Sequence, residues 1–379
     1  MKKFLSLTLV CAMALTMVVG CGAGTGADSA EAGSADSTYV IGSTGPLTGD
    51  ASSYGNSVKN GATIAVDEIN ANGGLNGVNF SFVMKDDKAD AAEAASAYDA
   101  LMDSGMQISI GSVTSGSCEA FAARAMEDNV FFITPSASAA SVIENRPNAF
   151  RVCFGDPDQG TLAAQNLTSN YSAIGCIYDT SDTYSSGIYA AFEAEMQNLG
   201  VEFEVRTFDA DNKTDFSAQV EALKDCEVIF LPIYYTEAGL IARACTAKEL
   251  NNIALFGCDG LDGVAAQIDE SVKNPISYIT PFDAASTAEN SAKFVKAYEE
   301  KFGATPDQFA ADGYDAIYAI YNAMKAANVN DVNIAASDLC NAVVASITAD
   351  SFKYDGVTGS MTWDASGACT KDPVIVVLQ

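Results

Sequence analysis

The sequence predicts an α/β protein of two lobes, each a parallel sheet covered by helices. Three observations lead there. Short β-branched or aromatic runs alternate with longer helical patterns along the whole body of the chain. The strands so predicted are too many for one sheet in a domain of about 100–150 residues. The two halves of the chain also repeat the same β-α alternation, with no short-period repeat inside either.

The predicted strands are Tyr39–Gly42, Phe80–Met84, Ile108–Ile110, Val130–Ile133, Ile174–Tyr178, Phe203–Phe208, Val228–Leu231, Ala254–Gly257 and Tyr278–Thr280. After the first comes the stretch Ile41–Gly77, a turn-rich loop with one aromatic, Tyr54, and then a long amphipathic helix closed by glycines. In that helix Val58, Ala62, Ala65, Val66 and Ile69 recur at helical spacing and predict one buried stripe. Thr214 and Asp215 open a further helix through Leu223, with Phe216, Val220 and Leu223 on one face. Two more helices, near Ala288–Phe302 and Phe309–Ala327, are separated by the break at Gly303 and Pro306. The segment Arg151–Asp158, carrying Gly155 and Pro157, reads as a first crossing between the lobes.

The first residues set the compartment. Lys2 and Lys3 precede an apolar run from Phe4 to Val19, then Gly20 and Cys21. A basic start, a short apolar core and a small residue before the cut make a secretory signal over residues 1–20. The run is shorter than the ~20 apolar residues that span a bilayer. Val18-Val19-Gly20-Cys21 resembles a bacterial lipobox, in which the cysteine is acylated and becomes the new first residue. From Gly22 to Ser37 the chain is almost wholly Gly, Ala, Ser, Thr, Asp and Glu, too poor in apolar groups to offset its ordering entropy. Residues 21–37 are therefore expected to be a lipidated cysteine and a flexible tether.

Composition excludes several function classes. The formal net charge of −29 argues against nucleic acid and anionic lipid surfaces as partners, leaving the lipid anchor as the only membrane contact. Histidine is absent, which removes Ser-His-Asp and Cys-His catalysis and histidine-ligated zinc. Beyond Cys21 the body holds cysteines at 118, 153, 176, 226, 245, 258, 340 and 369, with no C-x-x-C pair and mostly apolar surroundings. They read as buried free thiols, not as a metal site or a disulfide framework. No cofactor and no metal is expected.

In parallel α/β sheets ligands sit beyond the carboxyl ends of the strands. Two hydroxyl-rich strand-to-helix turns lie there in the first half: Ser112, Thr114, Ser115 and Ser117, then Thr134, Ser136 and Ser138. Free N–H groups, the positive helix end and hydroxyl donors together suit a carboxylate, although each hydroxyl taken alone could be an N-cap. In the second half the strand ends carry Asp179–Tyr184, Tyr234-Tyr235-Thr236-Glu237 and Cys258-Asp259-Gly260. The Asp259 carboxylate, at a sheet edge before a glycine, suits a primary ammonium group; its structural alternative is to cap a helix near Leu261. A hydroxyl cradle on one lobe and an acid on the other would hold a zwitterion. Micromolar capture of so small a molecule, ~8 kcal/mol, requires that most of its atoms be engaged, which a closing cleft allows and an open surface does not. Asp86, Asp87, Asp179 and Asp182 are the acids a secreted carboxylate-dependent hydrolase would use; Asp86 and Asp87 end a strand, point to opposite sides and read as solvated loop acids.

Six stretches, in this order, carry a family resemblance: GPLTGDASSYG, NGATIAVDEINANGGLNG, the ITPSAS turn, TDFSAQVEALK, the CDG turn and PDQFAADGYDAIYAIYNAM. Over Val40 to about Trp363 the chain resembles the solute-binding lipoproteins of ABC importers in the branched-chain amino-acid (leucine/isoleucine/valine) class, with the periplasmic-binding-protein type I fold of two Rossmann-like lobes. The resemblance implies a non-enzymatic monomer on the outer face of the cytoplasmic membrane that delivers a free amino acid to permease subunits. It implies that Ser115 and the turn Ser136-Ala137-Ser138 hold the α-carboxylate and, through a backbone carbonyl, help hold the ammonium. Asp259 would face the ammonium, Tyr184 and Tyr234 would form the second-lobe wall, and Tyr54 and Phe309 would lie beside the side chain. It also implies a three-strand hinge, with crossings near Phe154, Thr280 and Tyr354–Trp363, so that residues 38–153 plus 281–355 form lobe 1 and 154–280 plus 356–379 form lobe 2. Members of this fold also bind aromatic acids, amides or urea, or serve as sensing receptors, and Thr114, Tyr235 and Glu237 do not single out one side chain.

Overall fold

The computed structural model describes residues 38–378. The signal sequence, Cys21 and the tether lie outside the described residues. The first sheet is built from β1 (Tyr39–Gly45), which leads into α1 (Ser52–Ala71), β2 (Phe80–Asp86), α2 (Ala91–Asp103), β3 (Ile108–Ser109), α3 (Ser115–Asp128), β4 (Phe132–Thr134), α4 (Ala140–Ile143) and β5 (Ala149–Arg151). Its strand order is β2-β1-β3-β4-β5, all parallel. The chain then builds a second sheet through α5 (Asp156–Asn170), β6 (Ile174–Asp179), α6 (Thr183–Leu199), β7 (Glu204–Phe208), α7 (Ser217–Ala222), β8 (Val228–Leu231), α8 (Tyr235–Ala247), β9 (Ala254–Gly257) and β10 (Ile276–Thr280). It returns to the first lobe with α9 (Glu289–Phe302), α10 (Gln308–Ala326) and α11 (Ala336–Ile347), then forms the small hairpin β11 (Tyr354–Asp355) and β12 (Ser360–Met361), and ends on β13 (Val374–Val377).

The second sheet runs β7-β6-β8-β9-β10, parallel, with β13 added antiparallel along the edge of β10. Read from β2 in one sheet and β7 in the other, the two lobes share one strand order. Each therefore has a switch point, between β1 and β3 and between β6 and β8, where helices leave to opposite faces and a crevice opens beyond the strand ends.

Local sequence explains the frame. Val58, Ala62, Ala65, Val66 and Ile69 are all buried, as their spacing predicts. α1 packs on α10 at backbone distance because a Cβ on Gly61 would meet the Ala310 carbonyl oxygen at 1.8 Å. α1 ends where Gly73 (φ +93) and Gly74 (φ +64) adopt left-handed conformations, and the Gly74 N–H closes on Ile69 O at 2.9 Å. Each fully buried aliphatic side chain along that seam contributes roughly 1.5–3 kcal/mol.

Some expectations shift. The helix after Thr214 is shorter, Ser217–Ala222, with Phe216 as its N-cap residue; Phe216, Val220 and Leu223 are all buried. The strand predicted at Val130–Ile133 is centred later, at Phe132–Thr134. β5, β11, β12 and β13 are additions. Asp87 is no solvated loop acid: it is buried and accepts from Ser112 Oγ at 2.6 Å and Ala89 N at 3.0 Å. Asp86 instead accepts from Leu47 N at 2.9 Å and Thr48 Oγ1 at 2.6 Å, fixing the loop before α1. The eight cysteines of the described residues are all free, and all but Cys369 are buried.

Candidate functional site

The loops beyond β1, β3 and β4 face those beyond β6, β8 and β9, and Tyr54, Ser115, Ser136, Tyr184, Tyr234, Asp259 and Phe309 line one pocket together with Val113, Thr114 and Gly260. Ala137 and Ser138 are buried just behind that wall.

On the first-lobe side the two serine turns interlock. Thr114 and Ala139 are the N-cap residues of α3 and α4, and neither side chain caps its helix, so the hydroxyls here are not N-caps. Ser136 Oγ donates to Val113 O at 2.7 Å, while Ser115 Oγ accepts from Ala139 N at 3.2 Å. Thr134 Oγ1 donates to Ser112 O at 2.8 Å and accepts from Ala137 N at 3.0 Å. The β3 and β4 turns are thereby held as one rigid unit. Ser138 Oγ and Thr114 Oγ1 are buried with no hydrogen-bond partner, a costly state for polar groups unless something else meets them.

On the second-lobe side Asp259 Oδ1 accepts from Tyr184 Oη at 2.7 Å. Asp259 opens a 3-10 turn without capping it, so the capping alternative does not hold. Burial pushes its carboxyl up to about 6, against the opposing hydrogen bond from Tyr184. Asp182 accepts from Ser185 N at 2.8 Å and is likewise raised by burial to about 6. Tyr184 stacks on Tyr234 with ring centroids 5.0 Å apart. Glycine is required at 260, since a Cβ there would meet Tyr184 Oη at 2.7 Å and Ile233 O at 2.8 Å.

The two walls touch. Tyr54 Oη donates to Gly260 O at 2.5 Å and accepts from Tyr235 N at 3.1 Å, bridging from α1 to the second lobe. Its ring lies 4.1 Å from Phe309 and 5.6 Å from Tyr234, centroid to centroid. Farther out, Lys213 Nζ reaches Asp50 at 3.1 Å and Glu237 at 3.5 Å, and Thr236 Oγ1 donates to Asp50 O at 2.9 Å. The enclosed space is about 10 Å³, room for about one water. A molecule much larger than a water therefore fits between these walls only if they part.

Four residues that sequence reasoning did not single out stand beside the pocket. Asp156, in the first turn of α5, is buried with both carboxylate oxygens unpartnered, and burial raises its pKa well above the ordinary range. Gln159 Oε1 accepts from Asp259 N at 3.1 Å, and its Nε2 has no partner. Arg151 on β5 reaches the Ser138 carbonyl with Nη1. Gln308 Nε2 donates to Asp259 O at 2.7 Å and its Oε1 accepts from Thr280 Oγ1 at 2.8 Å. The available signal was Asp156-Pro157-Asp158-Gln159 after a strand, a polar helix start that reads equally well as a crossing.

Comparison with known proteins agrees with this architecture. The periplasmic binding protein family model matches residues 38–377. The chain is 31% identical over 231 residues to the Leu/Ile/Val-binding protein BraC3 of Rhizobium johnstonii, a match covering 60% of this chain and 63% of that relative. Among solved structures, it superposes on the leucine-binding protein LivK of Thermotoga maritima with a TM-score of 0.80 and 26% identity, covering 90% of this chain and 96% of that one. The branched-chain amino acid transporter substrate-binding protein LivJ of Streptococcus pneumoniae, in complex with isoleucine, also gives 0.80, at 28% identity over 90% and 98% of the two chains.

Proposed function

The chain belongs to the periplasmic binding protein family, a family of solute-binding proteins and not of enzymes, and from that premise we propose that it captures a free amino acid between its lobes and delivers it to the permease of an ABC importer. The observation that carries this reading is a buried carboxylate, Asp259, across a closable cleft from the interlocked Ser115 and Ser136–Ser138 turns. Asp259 takes the ammonium, with Tyr184 orienting it. Ser115 and the unpartnered Ser138 hydroxyl take the α-carboxylate, and a backbone carbonyl of the 136–138 turn helps hold the ammonium. Tyr54 and Phe309 cover the side chain, and Tyr234 closes the far wall. The ligand is a branched-chain or other hydrophobic amino acid, a reading supported by the likeness to LivK, LivJ and BraC3.

Capture is binding without bond chemistry. The walls part, the zwitterion replaces the lost interlobe contacts with its own, and the lobes close about crossings near Phe154, Thr280 and Tyr354–Trp363. Lobe 1 comprises 38–153 plus 281–355, and lobe 2 comprises 154–280 plus 356–379. The protein acts as a monomer outside the cytoplasmic membrane, anchored by acylated Cys21. Among the described residues no helix is long and apolar enough to cross a membrane. Titration calorimetry with the twenty L-amino acids tests the reading: saturable heat from leucine, isoleucine or valine supports it, and no heat from any amino acid overturns it.

A further inference from the structure

The N-terminus of α10 meets the opposite lobe. Asp307 caps its own helix, with Oδ1 accepting from Ala310 N at 2.9 Å and Oδ2 from Ser57 Oγ at 2.6 Å. The next backbone N–H, that of Gln308, does not stay within the helix or its lobe. It donates to Asp262 Oδ2 at 2.9 Å, and Asp262 follows β9 in the second lobe. The Gln308 side chain makes a second crossing in the same place, to Asp259 O. One helix end thus carries two carboxylates, one from each lobe. We infer that closing the cleft docks Asp262 onto the N-terminus of α10 beside Asp307, making Asp262 a positioning residue for ligand capture, and that this juxtaposition takes up a proton as the cleft closes. The inference rests on the reading of the pocket as an amino-acid cleft.

The favourable side is the helix end itself. A carboxylate on a free N–H at the positive end of a long helix is a good electrostatic partner. It also sits one residue from Phe309, which lines the pocket, so docking Asp262 sets the position of a pocket wall. The unfavourable side is like charge. Asp262 and Asp307 are only partly exposed. Among the described residues neither forms a salt bridge. The groups around them are acidic or neutral: Asp312 on α10, Ser57 on α1, Tyr298 on α9, Tyr278 on β10 (Oη to Asp262 Oδ1, 3.2 Å) and Asp259 on the same turn as Asp262. The nearby cation Lys371 is held by Asp312 at 3.0 Å. Burial and then mutual repulsion push the Asp307 carboxyl up, and burial does the same to Asp262. When the lobes separate, Asp262 returns to water and Asp307, still capping its helix and bonded to Ser57, loses the repulsion from Asp262.

The sign follows. The closed state holds a proton that the open state has lost, so proton uptake accompanies closure and the pair favours binding as the pH falls, by at most about tenfold per pH unit. Asp259 acts in the opposite direction, since protonating it removes the ammonium's partner; the pair must therefore be isolated by substitution. Asp307→Asn does so, because asparagine caps a helix as well as aspartate.

The test is calorimetry with L-leucine near neutral pH in phosphate and in Tris, whose different ionisation enthalpies reveal protons exchanged. Proton uptake in Asp307→Asn should fall below that of the wild type. Asp262→Ala should weaken leucine binding about ten- to a hundredfold, the loss expected for one charged hydrogen bond made only in the closed form. Equal proton counts in wild type and Asp307→Asn, or wild-type affinity in Asp262→Ala, would overturn the inference while leaving the amino-acid reading intact. Absence of heat from leucine and every other amino acid would overturn both.

Discussion

The two walls of the cleft do opposite things with their polar groups. On the first-lobe wall the serine and threonine hydroxyls mostly satisfy one another's backbones: Ser136 to Val113, Thr134 to Ser112, Ala139 to Ser115. Apart from the Arg151 guanidinium on the Ser138 carbonyl, that wall carries no charge, and it is rigid. The second-lobe wall buries carboxyls, and burial raises Asp259 and Asp182 to about 6 and Asp156 well above the ordinary range. Such groups are costly when ionised without a cation. Under the proposed amino-acid reading, the difference assigns two tasks: the first wall is a shaped template, and the second supplies most of the ligand-dependent energy, because an arriving ammonium would relieve the buried carboxyl charge.

Substitutions can break this contrast. The largest effect belongs to the charged wall: Asp259→Ala should cost about 2–5 kcal/mol of amino-acid binding, read by calorimetry, because a desolvated ammonium is left unpaired. Wild-type affinity in that variant would remove Asp259 from the site. On the first-lobe wall Ser115→Ala should cost less, about 1.5–3 kcal/mol, the range for a hydrogen bond to a charged group. If it exceeded Asp259→Ala, the assignment of energy to the second wall would be wrong.

The third effect concerns the ligand-free protein. The raised carboxyls Asp259 and Asp182 keep protons in the folded state at pH values where the unfolded chain, with an ordinary aspartate pKa of about 4, has lost them. Folding therefore takes up protons between about pH 4 and pH 6, and stability falls as pH rises through that window by at most about 1.4 kcal/mol per pH unit for each group. Thermal unfolding across that range should show the decline, and Asp259→Asn should flatten it. An unchanged slope in the variant would show that Asp259 is ionised in the free cleft. The smallest effect is at the rim, where Asp50→Asn removes the interlobe pair with Lys213 while Lys213 keeps Glu237, and should change binding by about 0–1 kcal/mol.

Much of the frame was legible because local pattern and tertiary role coincide. Val228–Leu231 and Ala254–Gly257 are short apolar runs between helices, and both strands have the predicted bounds. β5 carried no such signal: Ala-Phe-Arg is too short, and it is a strand because β4 pairs with it. β13 is an exposed edge held on one side by β10. The pocket residues were legible where they follow strand ends, as Ser115, Tyr234 and Asp259 do; Tyr54, expected in the loop, sits in the first turn of α1. Asp156, Gln159, Gln308 and Asp262 were not, because their positions matter only once the opposite lobe or a returning helix arrives against them. No pattern along the chain reports that Gln308 N–H meets a carboxylate from another lobe.

The central claim is that the cleft reads both charges of a zwitterion, one on each wall. The direct test is calorimetric titration of refolded, ligand-stripped protein with L-leucine and with its two single-charge analogues, 4-methylpentanoate and isoamylamine. Leucine should bind with micromolar affinity or better, and each analogue should bind at least about a hundredfold more weakly, since each leaves one buried wall unpaired. Binding of 4-methylpentanoate as tight as that of leucine would contradict the account, because Asp259 would then have no ammonium to hold.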